Sequence, residues 1–264
     1  MSSTAEARIN SLDSVLDSTA GSDQIAGELF AVVDALDSSS TLRRALTDPN
    51  VSESDRQGLA TQLIGGRVSD ATLAVVHEAV AIRWPGGRTL TAALERQAVR
   101  AELARAQAAG ELDETEDSLF RFARLVESSP DLRNALADQR IPIEHRRTLV
   151  AQLLEGRVGT STQVLARRAV TARERTFGNT IEGYVTLAAA QQNRLVATVR
   201  VARALTEEQT HRLRATLSRQ VGRDVAIQEI VEPSLLGGIR VELGDQVIEG
   251  TVASRFDEAK RLFG

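Results

Sequence analysis

The first two thirds of the chain is written twice. Displaced by 90 residues, the sequence aligns on itself without a gap. Leu29-Phe30 falls on Leu119-Phe120, Leu42-Arg43 on Leu132-Arg133, Ala45-Leu46 on Ala135-Leu136, Arg56 on Arg146, and Gly66-Arg67-Val68 on Gly156-Arg157-Val158. Of the 40 positions from 29 to 68, 16 are identical to their partners. Ungapped spacing across several helical segments means one supersecondary plan used twice.

Each copy reads as short helices. In the first, apolar residues at helical spacing mark helices over about 5–19, 23–37, 41–46, 52–64 and 69–83. Asp23 and Ser52 suit N-caps, and Gly21 and Gly65-Gly66 suit stops. The second copy repeats the plan over about 88–109, 113–127, 131–137, 142–154 and 160–175, followed by a last helix over 179–193. The helix at 88–109 has two roles, closing the first copy and opening the second. Aromatic residues make up only 3% of the chain, so these cores must rest on Leu, Val, Ile and Ala, which suits close helix packing.

After Asn193 the period changes from helical to alternating. A strand is expected over 194–202, then a helix opened by the capping box Thr206-Glu207-Glu208-Gln209 and ended by Gly222, then a strand over 224–231. Two further strands around Ile239–Leu243 and Val247–Ile248 flank Gly244-Asp245, a Gly-first hairpin turn. A final helix over about 253–262 carries Phe256, Leu262 and Phe263 on one side. The expected fold is α+β and mainly α: two tandem helical bundles (1–87 and 88–193) followed by a small α/β module (194–264).

Several functional classes are disfavoured. With no cysteine, disulfides, thiolate metal sites and cysteine nucleophiles are absent together. His77, His145 and His211 lie far apart without metal-ligand spacing, and the glycine pairs lack a nucleotide-binding context, so no cofactor or catalytic site is expected. The run Glu111, Asp113, Glu114, Glu116, Asp117 fits the positive end of a helix dipole. Arginine clusters at 146–147 and 167–175 invite a nucleic-acid reading. A net charge of −4 and few aromatics for stacking oppose it. No apolar run is long enough to span a bilayer and the N-terminus lacks a signal-type apolar segment, so the chain is expected in the cytoplasm, reaching a membrane only through partners. Charge is uneven: residues 1–80 carry 5 basic and 12 acidic groups, residues 81–180 carry 16 and 13. The two copies are thus expected to present different partner surfaces.

The wording from Pro233 to Val252, PSLLGGIRVELGDQVIEGTV, followed by a short charged segment, resembles the C-terminal signature of the delta subunit of bacterial F-type ATP synthases, the family that includes the mitochondrial oligomycin-sensitivity-conferring protein. Residues 110–154 resemble that family's helical domain, which leaves the first copy as an extra bundle. The resemblance implies a non-catalytic stator subunit in the peripheral stalk, peripheral to the cytoplasmic face of the cell membrane. It implies a helical domain that binds N-terminal helices of the alpha subunits and a C-terminal module that grips the stalk b subunit. On that footing a groove for a partner helix is expected between Ala101, Ala104 and Ala108 on one helix and Val164, Leu165, Ala169 and Ala172 on another, with Phe256, Leu262 and Phe263 meeting the b subunit. The same alanines also suit packing inside the bundle. A helical adaptor of some other complex accounts for the repeat but not for the hairpin signature.

Overall fold

The computed structural model describes residues 3–19, 24–192, 194–222, 224–232, 235, 238–243 and 246–251. It is mainly helical with a small sheet near the C-terminus, the α+β class expected, and contacts divide it into a helical unit and an α/β unit.

The helical unit contains α1 (Ser3–Ser18), α2 (Ile25–Ser38), α3 (Ser40–Thr47), α4 (Glu53–Ile64), α5 (Asp70–Ala81), α6 (Gly87–Ala108), α7 (Leu112–Ser128), α8 (Pro130–Ala137), α9 (Ile143–Leu154), α10 (Thr160–Ala169) and α11 (Phe177–Gln192). The displacement of 90 holds in three dimensions: α3 and α4 map onto α8 and α9 end for end, and α5 and α6 begin where α10 and α11 begin. Local chemistry explains the boundaries. Ser39 and Ser129, equivalent residues, each accept the backbone N–H three residues on, at Leu42 and Leu132. Gly66 and Gly156, also equivalent, take positive φ after α4 and α9, where a side chain would strain the backbone.

α6 is shared by the two copies. It packs against α2, α3 and α5 on one side and α7, α10 and α11 on the other. Twelve of its 22 residues are buried, spread round the helix rather than along one stripe. One hydrophobic cluster accordingly runs from Leu12 through Leu94 and Leu103 to Ala188.

The last helix of the second copy begins at Phe177 and α10 stops at Ala169, not near Arg175 as its composition suggested. Ala172 and Arg175 take positive φ, 49° and 74°. The break has a reason. Arg168 and Arg173 both bond the carboxylate of Glu95. Five residues along an uninterrupted helix they would point about 140° apart.

The α/β unit is built from β1 (Arg194–Val201), α12 (Glu207–Val221), β2 (Asp224–Val231), β3 (Gly238–Leu243) and β4 (Gln246–Thr251). Thr206 and Gln209 form the expected capping box, and Gly222 closes α12 in the left-handed conformation. The sheet order is β2-β1-β3-β4; β1 and β2 run parallel, joined by α12, whereas β1–β3 and β3–β4 are antiparallel. Ala197, Val199, Val201, Val225, Ile227 and Val241 form its core with Leu217 of α12. Leu243 pairs with Gln246, which leaves a two-residue connection. The turn residues Gly244 and Asp245, and the expected helix over 253–262, lie outside the described residues.

Candidate docking surfaces

The two copies are joined by an ionic network whose centre, Glu95 with Arg168 and Tyr184, is buried and whose first-copy ends, Asp34 and Asp37, are exposed. Glu95 of α6, 3% exposed, accepts two bonds from Arg168 at 3.0 and 2.6 Å, one from Arg173 at 2.9 Å, and one from the Tyr184 hydroxyl at 3.1 Å. The arginines reach on to the first copy: Arg168 donates to Asp34 at 2.6 Å and Arg173 to Asp37 at 2.5 Å. Arg168 also stacks over Phe30, its guanidinium carbon 4.9 Å from the ring centre. Burial alone would lower the pKa of both arginines, but Glu95, Asp34 and Asp37 outweigh it and raise them. Burial and then the Glu95 carboxylate push Tyr184 well above its ordinary value. Two acidic residues of the first third, Asp34 and Asp37, are thus paired with arginines of the more basic middle.

The groove residues separate into three groups. Ala101, Ala104 and Val164 are partly exposed and Ala108 is exposed, along neighbouring α6 and α10. Leu165 and Ala169 are fully buried and hold α10 to the core, so they lie beneath that surface rather than on it. Ala172 lies past the end of α10 and lines a different cavity. Phe256, Leu262 and Phe263 fall outside the described residues.

In the first copy the positions equivalent to Ala101, Ala104 and Ala108 are Ser11, Ser14 and Ser18. Ser11 donates a hydrogen bond to Glu78 of α5. The position equivalent to Glu78 is Arg168, drawn away to Glu95. The α6 face thus carries alanines where α1 carries serines, while Arg105, which donates to Ser161 of α10 at 2.7 Å, stands where the first copy has Val15.

A second feature was not foreseen. A cavity of about 560 Å³ opens beside α7, lined by Phe120, Leu136, Ile143, Ala172 and Phe177 among others. Phe120 is 53% exposed, although its equivalent, Phe30, is 8% exposed. The cavity arises where the copies differ. At the start of α6, Gly87 lets the helix press on α3; a Cβ there would meet the Arg43 Cβ at 2.6 Å. At the start of α11 the equivalent residue is Phe177, whose ring meets Phe122 edge-on at 5.8 Å.

The three histidines lie apart. His77 bonds the Thr61 hydroxyl at 2.8 Å, and His145 and His211 lie on α9 and α12. Among the described residues no three His, Cys, Asp or Glu side chains are grouped to hold a metal ion, and no helix is long and apolar enough to cross a membrane.

Comparison with known proteins agrees with the C-terminal signature. The family model described as ATP synthase delta (OSCP) subunit matches residues 99–263, from within α6 through the rest of the second copy and the α/β unit. The whole chain is similar to the ATP synthase subunit delta of Kineococcus radiotolerans, 43% identical, covering 97% of this chain and 95% of that one. It is also similar to the delta subunits of Parafrankia sp., 44% identical over 90% and 86%, and Cutibacterium acnes, 39% identical over 99% of each. The chain belongs to the family of ATP synthase delta (OSCP) subunits. It is a non-catalytic subunit of the peripheral stalk, the stator of the F-type proton-transporting enzyme.

Proposed function

We propose that the second copy holds the catalytic head through the face formed by Ala101, Ala104, Ala108 and Val164, which takes an N-terminal helix of an alpha subunit, while the α/β unit grips the b subunit. An amphipathic helix laid in such a groove buries its apolar side, and small residues on the receiving helix allow close approach. One observation carries the choice of copy: α6 presents Ala101, Ala104 and Ala108 where α1 presents Ser11, Ser14 and Ser18. Leu165 and Ala169 form its floor. On this reading the division at 87/88 is functional, with the first copy (1–87) an added bundle, the second (88–193) the head-binding domain and 194–264 the stalk-binding module, whose Phe256, Leu262 and Phe263 meet the b subunit. The protein then sits at the cytoplasmic face of the membrane, held there by the complex.

The test is calorimetric titration of the alpha-subunit N-terminal peptide into the full chain. Ala104→Arg is expected to weaken binding by about tenfold or more, about 1.4 kcal/mol, and Ser14→Arg to leave it unchanged. The opposite pattern would transfer the head contact to the first copy. For the b subunit, deletion of residues 253–264 should abolish copurification; retention would remove that part of the reading.

A further inference from the structure

The start of α10 lacks what the start of its first-copy equivalent, α5, has. There the carboxylate of Glu28 seals the helix end. One of its oxygens accepts from the Ser69 backbone N–H at 3.0 Å, the Ser69 hydroxyl at 2.6 Å and the Thr72 hydroxyl at 2.6 Å. Ser69 also caps the Thr72 N–H. In the second copy Ser118 stands for Glu28, Gly159 for Ser69 and Thr160 for Asp70, so both carboxylates and the capping hydroxyl are gone. Gly159 makes no side-chain cap. The N–H groups of Thr160, Ser161 and Thr162 belong to the first turn and have no partner within the helix. Thr162, equivalent to Thr72, is fully buried, and its hydroxyl has no hydrogen-bond partner. A buried hydroxyl left unbonded costs stability.

We infer that the start of α10 is a carboxylate site, filled by an Asp or Glu side chain of the alpha-subunit helix that lies in the groove between α6 and α10. On the groove reading above, on which this rests, the carboxylate is the polar contact of the docked helix. The first copy identifies the ligand, because the same helix end with the same threonine holds a carboxylate there. Position identifies the source. Arg105 of α6 donates to Ser161 at 2.7 Å, so the start of α10 lies beside the Ala104 and Ala108 end of the alanine face, and Val164 stands one turn further along α10. The site is open on that side. Thr160 is exposed, and a Cβ added to Gly159 would meet one atom within 4 Å, an oxygen of Glu111 at 3.8 Å. Glu111 is exposed and is the chain's own competitor for these donors, whereas Glu102 is engaged with Arg105 at 2.7 Å. The positive end of the helix dipole favours a carboxylate from either source.

The test is calorimetric titration of the alpha-subunit N-terminal peptide into the full chain, with the Tm of each unliganded variant measured beside it. Thr162→Val removes the buried hydroxyl. It is expected to weaken binding about tenfold, the scale of one hydrogen bond to a charged group, without lowering Tm. Ser118→Glu supplies an internal carboxylate, as Glu28 does, and should raise Tm while weakening the peptide by a similar factor. Glu111→Gln removes the competitor and should tighten binding. In the peptide, one Glu→Gln or Asp→Asn change should weaken binding to the parent chain about tenfold and have much less effect on the Thr162→Val chain, because the two groups form one interaction. Unchanged affinity for every such peptide overturns the proposal. So does a lowered Tm in Glu111→Gln with unchanged affinity, which assigns the donors to Glu111. Ala104→Arg keeps the two readings apart. If it leaves binding unchanged while Thr162→Val weakens it, the carboxylate site stands and the alanine groove falls. The converse keeps the groove and removes the carboxylate site, and a peptide that binds no form of the chain removes both.

Discussion

The guanidinium carbon of Arg168 lies 4.9 Å from the ring centre of Phe30, so a residue of the second copy closes over an aromatic of the first. Arg168 is at the same time bound to Glu95 at 2.6 Å on the helix the copies share. One side chain therefore ties together the first copy, the second copy and α6. For a stator subunit the consequence is mechanical: the helical unit holds together through a packed core and buried ions rather than a hinge.

The equivalent phenylalanines should respond differently to truncation. Phe30→Ala removes a buried ring and the platform under Arg168, a loss of about 3–5 kcal/mol in chemical denaturation. Phe120→Ala, at the matching exposed position, should change stability by no more than about 0.5 kcal/mol. Similar losses at both would mean that Phe120 is buried in solution.

Glu95 should be the most sensitive acidic residue of the helical unit. Glu95→Gln leaves two arginines facing each other without their common carboxylate, at a cost of about 3–5 kcal/mol. Adding Arg168→Gln should cost less than the sum of the two single changes, because the residues act as one network. Strict additivity in a double-mutant cycle would show them to be independent.

Alkali offers a direct reading of the same network, because Tyr184 is the only tyrosine in the chain. Its pKa is raised by burial and by Glu95. The neutral phenol therefore adds stability that is fully present below the ordinary value of 10.0 and is lost as pH rises through the folded pKa. Phenolate absorbance should appear well above pH 10, together with loss of helical circular dichroism. Reversible ionisation near 10 in a folded chain would place the hydroxyl in water.

Acid acts at Glu28. Burial opposes its ionisation, but the Ser69 and Thr72 hydroxyls and the Ser69 backbone N–H, all bonded to its carboxylate, hold its pKa below 4.5. This stabilisation is present above 4.5 and fades as pH falls through the lower folded value. Glu28→Gln should cost about 1 kcal/mol at neutral pH, the scale of a lost helix cap, and the difference from the parent should shrink in acid. A difference independent of pH would remove the carboxylate from this role. The second copy has Ser118 and Gly159 at the positions of Glu28 and Ser69, and Thr162, at that of Thr72, keeps a buried hydroxyl without a hydrogen-bond partner.

What the chain declares by itself is whatever neighbours in sequence decide. The serine cap at 52, the Thr206–Gln209 box, the stop at Gly222 and the 90-residue repeat all follow from local hydrogen bonds and short-range apolar periodicity, whereas the caps at Ser39 and Ser129 are seen only in the structure. The helices and strands stand close to where these signals put them, and the C-terminal signature is sufficient to indicate the family. Periodicity cannot say which apolar face meets which neighbour, nor where a distant carboxylate will interrupt a helix. The parallel pairing of β1 with β2, the burial of Leu165 and Ala169, and the end of α10 at Ala169 depend on residues far away in sequence. So does the different fate of Phe30 and Phe120, the same residue at the same place in the repeat. Phe30 lies under Arg168 of the second copy, whereas Phe120 is exposed among the described residues.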